Sequence, residues 1–146
     1  MSYINDFEKI IADQIARVEK MKSSMTFTDF AAADKITIGL IDGDGIGPVI
    51  LKTAKNVLNV LLADEIASGK IVLKEISGLT LENRIEKMQA VPDDVLAAIK
   101  ECDVLLKGPT TTPSKNSGLP NIESANVTLR RELDLFANVR PVSIPE

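Results

Sequence analysis

In the first 25 residues, apolar side chains recur at helical spacing. Ile4, Phe7, Ile11, Val18 and Met21 fall on one row, interrupted by Gln14, while Asp13, Arg17, Glu19 and Lys20 lie off it. The pattern predicts a helix over residues 3–25 that runs into a connector, "SSMTFTDFAAAD" (23–34). Such a helix packs on the body of the protein in the ordinary case. A dedicated oligomerisation helix is the other reading. After residue 34 the pattern alternates. "KITIGLI" (35–41), "KIVLKEI" (70–76) and "DVLLKG" (103–108) read as buried strands. Between them lie an apolar-periodic helix over 49–67, a short helix over 79–88 and "PDDVLAAIKEC", whose Pro92 and two aspartates suit a helix start. A loop (109–121), a helix near 123–133 and a further strand, "LFANVRPVSI" (135–144), complete the series. Strands alternating with helices predict an α/β fold with a mostly parallel sheet and flanking helices. Residues 1–34 form a helical extension and connector, and 35–146 the α/β body. Ligands gather beyond the carboxyl ends of the strands in such sheets. Two motifs stand there: "DGDGIGP" after the first strand and "GPTTTP" after the third.

The 146 residues amount to about one domain, large enough to bury roughly 68–70% of the surface its unfolded chain exposes. Composition narrows the chemistry more than the fold. There is no histidine, which excludes Ser-His-Asp and Cys-His catalysis and histidine-based zinc sites. The single cysteine, Cys102, forms no internal disulfide and suits a reducing compartment, so the cytoplasm is expected. It reads as buried and inert. The net charge of −4 predicts no nucleic-acid partner and no acidic-membrane partner. Asp6 and Glu8 stand where a signal peptide would be apolar, and no stretch reaches the roughly 18 apolar residues of a membrane span.

The glycine loop fails three standard tests. A dinucleotide fingerprint needs glycine where Pro48 stands. A calcium loop starting at Asp42 needs an oxygen ligand where Ile46 stands and Glu where Thr53 stands. No phosphate-loop spacing is present. What remains is a sharp strand-to-helix turn, either purely structural or open to an anion or a flat ligand.

The helix near 122–133 carries a core row of Ala125, Leu129 and Leu133. Asn126 and Arg130 share a second row about 60–100° away, at the rim, whereas Arg131 points to solvent. Ser124 can cap the helix or donate to an anion at its start. Arg140 falls in an apolar segment, where a charge needs a partner. Planar guanidinium groups grip carboxylates in a bidentate way. Two arginines with Ser124, Asn126 and the Thr110–Thr112 hydroxyls therefore suit a small molecule bearing several carboxylates. Internal pairing of Arg130 and Arg140 with Glu132 or Asp134 is the competing reading.

Taken together, "GDGIGP", "LKGPTTTP" and "SANVTLRRELDLFANVRP", in this order and spacing, resemble the β-decarboxylating dehydrogenases. That group comprises the isocitrate, isopropylmalate, homoisocitrate and tartrate dehydrogenases. The resemblance covers residues 36 to 146, with isocitrate dehydrogenase the most similar branch. It implies a fold that is not Rossmann, and a body that is the N-terminal part of a large α/β domain. The implied activity is NAD- or NADP-dependent oxidative decarboxylation of isocitrate with Mg2+ or Mn2+, in a homodimer or higher oligomer. By the same resemblance Ser124, Asn126, Arg130 and Arg140 bind substrate carboxylates. Lys107 and Thr112, with Pro109 and Thr111, line the floor where substrate meets the nicotinamide, and Ile46 packs near the adenine. The family's aspartate metal ligands and its Tyr–Lys proton-transfer pair have no counterpart here, Tyr3 being the only tyrosine. No catalytic or metal residue is therefore assigned, and the chain alone is expected to be inactive. The alternatives are an isopropylmalate- or homoisocitrate-type enzyme, or a non-catalytic polycarboxylate-binding or assembly module.

Overall fold

A computed structural model describes residues 3–23, 28–114 and 116–144. The chain divides into two compact units, Met1–Ala33 and Asp34–Glu146. In the first, α1 (Tyr3–Ser23) is a helix of 21 residues with no buried side chain. Its predicted last turn, and residues 24–27 of the connector, lie outside the described residues. Asp29 then closes a turn, its carboxylate accepting the Ala31 amide at 3.0 Å.

The second unit is built on a parallel three-stranded sheet. Strands β1 (Ile36–Ile41), β2 (Ile71–Glu75) and β3 (Val104–Lys107) lie in the order β2-β1-β3. Ile36 pairs with Ile71, and Ile38 with Val104. The strand that comes first in sequence is thus central, and its carboxyl end, with the glycine loop, falls between its neighbours' ends. The strands are joined by α2 (Gly47–Leu61), α3 (Ala63–Ala67), α4 (Leu81–Glu86) and α5 (Asp93–Lys100), and α6 (Ala125–Glu132) follows β3. The single helix expected over 49–67 is broken at Leu62, whose backbone leaves the helical region (φ −115°, ψ 25°).

One core holds these elements. Ile41, Ile76, Leu79, Val91, Val95, Ile99, Ala125 and Leu129 are buried together, with Cys102, Leu105 and Leu133 packed against them. The predicted Ala125–Leu129–Leu133 row of α6 therefore anchors that helix. Cys102 is half-buried, with its thiol directed at the Ala98 carbonyl oxygen at 3.4 Å.

The strand expected over 135–144 does not form. Those residues have no regular structure and are exposed, Phe136 to 99%. A strand exists only through ladder partners, and none of the described residues offers one here. Pro141 also removes a donor. Apolar content alone identified a segment fit for a sheet, without a sheet to join.

Candidate functional site

The ends of β1 and β3 are laced together by backbone. The Asp44 amide donates to the Pro109 carbonyl oxygen at 2.7 Å, and the Gly108 amide donates to that of Ile41 at 2.8 Å. Glycine makes this approach possible. A Cβ on Gly43 would stand 2.1 Å from the Pro109 oxygen, and one on Gly47 or Gly108 would stand 2.1 or 2.0 Å from the Asp42 oxygen. So the glycine loop spends its close approach on the threonine loop, backbone against backbone. The anion-cradle reading gains little: the Gly47, Val49 and Ile50 amides are taken by the carbonyls of Asp44 and Ile46, and Pro48 has none.

Asp44 ties three segments. One carboxylate oxygen accepts the Leu81 amide at 2.8 Å, and the other accepts the Thr111 amide at 2.7 Å. Arg84, fully buried on α4, makes the complementary clamp. It donates to the carbonyl oxygens of Ala90 (2.8 Å), Thr111 (2.7 Å) and Glu123 (3.1 Å). Burial lowers its pKa, and the charge of Asp44 opposes that. The rigid fork of a guanidinium is what lets one side chain reach three divergent acceptors. The clamp sets the threonine loop and the entrance of α6 relative to one another. Sequence reasoning missed both residues. Their signals were faint: a lone cation on the helical row of Leu81, and an acid between two glycines at a strand end.

Lys107, the last residue of β3, is half-buried. Its ammonium donates to the Gly108 carbonyl oxygen at 2.6 Å and to the Thr110 hydroxyl at 3.3 Å. Burial lowers its pKa; the charge of Asp44 raises it and that of Arg84 lowers it. Lys107, Asn126 and Arg130 line one open cavity of about 620 Å3, with Leu129 and Leu133 behind them. The cavity also follows β3 back to Asp103, because β3 pairs only with β1 and leaves its other edge open. Part of its volume is therefore uncovered sheet edge.

The remaining predicted residues are spread around this focus. Ser124 occupies the N-cap of α6 but makes no side-chain cap bond; its carbonyl takes the Val127 and Thr128 amides. Ile46 is exposed at the start of α2, and Pro109, Thr111 and Thr112 are exposed on the threonine loop joined to it. Arg140 is exposed in the irregular C-terminal segment and is not among the cavity's lining residues. Arg131 points outward as expected and pairs with Glu123 at 3.2 Å and Glu132 at 3.6 Å. Among the described residues no acid forms an ion pair with Arg130 or Arg140.

Comparison with known proteins shows the family. Residues 37–146 match the family described as isocitrate/isopropylmalate dehydrogenase. The chain belongs to that family. Among its relatives is an isocitrate dehydrogenase [NADP] from Caldococcus noboribetus, 39% identical over 88% of this chain and 28% of the relative. A homoisocitrate dehydrogenase from Methanocaldococcus jannaschii is 35% identical over 71% of this chain and 27% of the relative. A 3-isopropylmalate dehydrogenase from Bacillus subtilis is 32% identical over 77% and 30%. The chain thus spans less than a third of the length of the curated relatives it matches. No described helix is long and apolar enough to cross a membrane.

Proposed function

We propose that this chain is the N-terminal part of an NAD(P)-dependent isocitrate dehydrogenase, which oxidises isocitrate and releases its β-carboxylate as CO2 to give 2-oxoglutarate. What supports the reading is that Lys107, Asn126 and Arg130 line one cavity along the open edge of β3. Arg130 grips one carboxylate through its fork, and Asn126, one turn earlier on the same row, donates to a second. Ser124 and Arg140 complete the carboxylate set. Polar groups at 124 and 126 suit a third carboxylate; an isopropyl group would need apolar ones there. Lys107 is held by Gly108 and Thr110, so its charge faces the substrate in a fixed place. Its lowered pKa comes from desolvation, the setting in which a cation contributes most to binding an anion.

The nicotinamide cofactor fits the joined loops. Ile46, Pro109, Thr111 and Thr112 are each exposed, and the Asp44–Pro109 and Asp44–Thr111 bonds hold their two loops together. A flat apolar face at Ile46 suits the adenine, and the threonine hydroxyls suit the polar edge of the nicotinamide. That cofactor accepts the hydride from the substrate carbon when bound. The metal is a different matter. Among the described residues no three acids or thiols come together. Residues 35–146 are the N-terminal part of a larger α/β domain in this reading. The enzyme works in the cytoplasm as a homo-oligomer.

The test is formation of reduced nicotinamide by the protein that carries this chain, with isocitrate, homoisocitrate and 3-isopropylmalate in turn and each cofactor. Isocitrate should give the highest kcat/KM. Arg130→Met should raise its KM at least tenfold, equivalent to about 1.4 kcal/mol. Preference for 3-isopropylmalate, or an Arg130→Met enzyme with unchanged KM, would reject the assignment.

A further inference from the structure

An apolar row independent of the candidate site lies on α1. Phe7, Ile11 and Val18 follow alternating four- and three-residue steps with Gln14 between them, and Ile10 and Ile15 widen the row on either side. At 100° per residue these positions span about 140° of the helix. All five apolar residues are exposed, Phe7 to 62% and Ile10 to 58%. The spacing is a heptad seam.

Charge decides what fits it. The stretch from Tyr3 to Asp13 carries three acids, Asp6, Glu8 and Asp13, against Lys9 alone, a net charge of −2. The stretch from Gln14 to Ser23 carries Arg17, Lys20 and Lys22 against Glu19 alone, a net charge of +2. One end of the helix is complementary to the other end of an identical helix. Parallel pairing would set −2 on −2 and +2 on +2, whereas antiparallel pairing sets opposite charges together and opposes the two helix dipoles favourably.

We propose that α1 is a self-association helix that packs antiparallel against α1 of a second copy of this chain, with Phe7 near Val18 of that copy. The seam buries the apolar row, and the opposed ends set direction. The inference does not depend on the function proposed above.

Sedimentation equilibrium of the whole chain tests it. Ile11→Asp/Val18→Asp alters only exposed positions of a helix with no buried residue, so circular dichroism should show the body intact. The native chain should have twice the mass of this variant, in multiples of 15.8 kDa. Equal masses would overturn the proposal. Lys20→Glu/Lys22→Glu should weaken association by about tenfold or more at low salt, from several exposed pairs of roughly 0.2–1 kcal/mol each. An unchanged association constant would remove the charge argument. In a Cys102→Ala background, a Phe7→Cys chain should form a disulfide with a Val18→Cys chain. A Phe7→Cys chain that cross-links to itself would show parallel pairing and overturn the orientation.

Discussion

Arg84 is the side chain on which the site's geometry depends most, and Arg84→Met tests that directly. The guanidinium is fully buried and donates to three backbone carbonyls on three separate segments. Methionine keeps the aliphatic volume and removes every donor. A buried acceptor left without a donor costs about 1–3 kcal/mol, so three carbonyls set an upper range of roughly 3–9 kcal/mol. Two effects reduce it. The variant no longer desolvates a cation, a cost of several kcal/mol in the native protein. Thr111 and Glu123 also belong to exposed residues, so water can reach part of what the arginine leaves. The expected net loss is about 2–5 kcal/mol, a large share of the roughly 5–15 kcal/mol that holds a domain folded.

Urea unfolding followed by far-ultraviolet circular dichroism is the suitable assay. Tryptophan is absent and the one tyrosine, Tyr3, lies in α1, so fluorescence would not report on the body. Arg84→Lys separates charge from fork. It keeps the cation beside Asp44, but its compact head cannot reach acceptors that lie in three directions. It should recover less than half of the loss. Amide exchange should quicken at residues 110–112 and 123–124 in both variants. An Arg84→Met chain within about 0.5 kcal/mol of native, or a lysine variant as stable as native, would show that the three bonds do not hold these segments.

Two further outcomes follow from the same geometry. Gly43→Ala sets a Cβ 2.1 Å from the Pro109 oxygen at a φ of +73°, and should lose more than about 2 kcal/mol from strain and overlap combined. Gly45→Ala, at φ +59° with nothing within 4 Å, should lose only the strain, about 1 kcal/mol; equal urea midpoints for the two would refute the close-approach argument. The Glu123 carboxyl is held below its ordinary range, first by the Thr128 hydroxyl and then by Arg131. Its folded pKa is depressed, so its contribution is present above the unfolded value and lost as pH falls through the folded one. Glu123→Gln should therefore flatten the fall of the melting temperature between about pH 5 and pH 3, and an unchanged slope would show the pairing contributes nothing there.

Sequence alone determined what depends on neighbours along the chain. The strands at 36–41, 71–75 and 104–107 were legible because each is a short apolar run between turn signals. The rotation of α6 followed from 100° per residue, which puts Ala125 and Leu129 inward, Arg131 outward and Asn126 with Arg130 at a rim. The ordered motifs also carried the family. Tertiary structure decided what depends on meeting distant residues. Residues 135–144 read as a strand, yet a strand needs a partner and finds none among the described residues, so its apolar side chains stay exposed. The reason for Gly43 and Gly108 is the approach of two backbones more than sixty positions apart in sequence, where a Cβ would collide with a carbonyl oxygen of the other loop. Arg84 and Asp44 left only faint local signals. Their acceptors and donors come from segments that only the fold brings within hydrogen-bond reach, and that reach is what holds the threonine loop and the start of α6 in place.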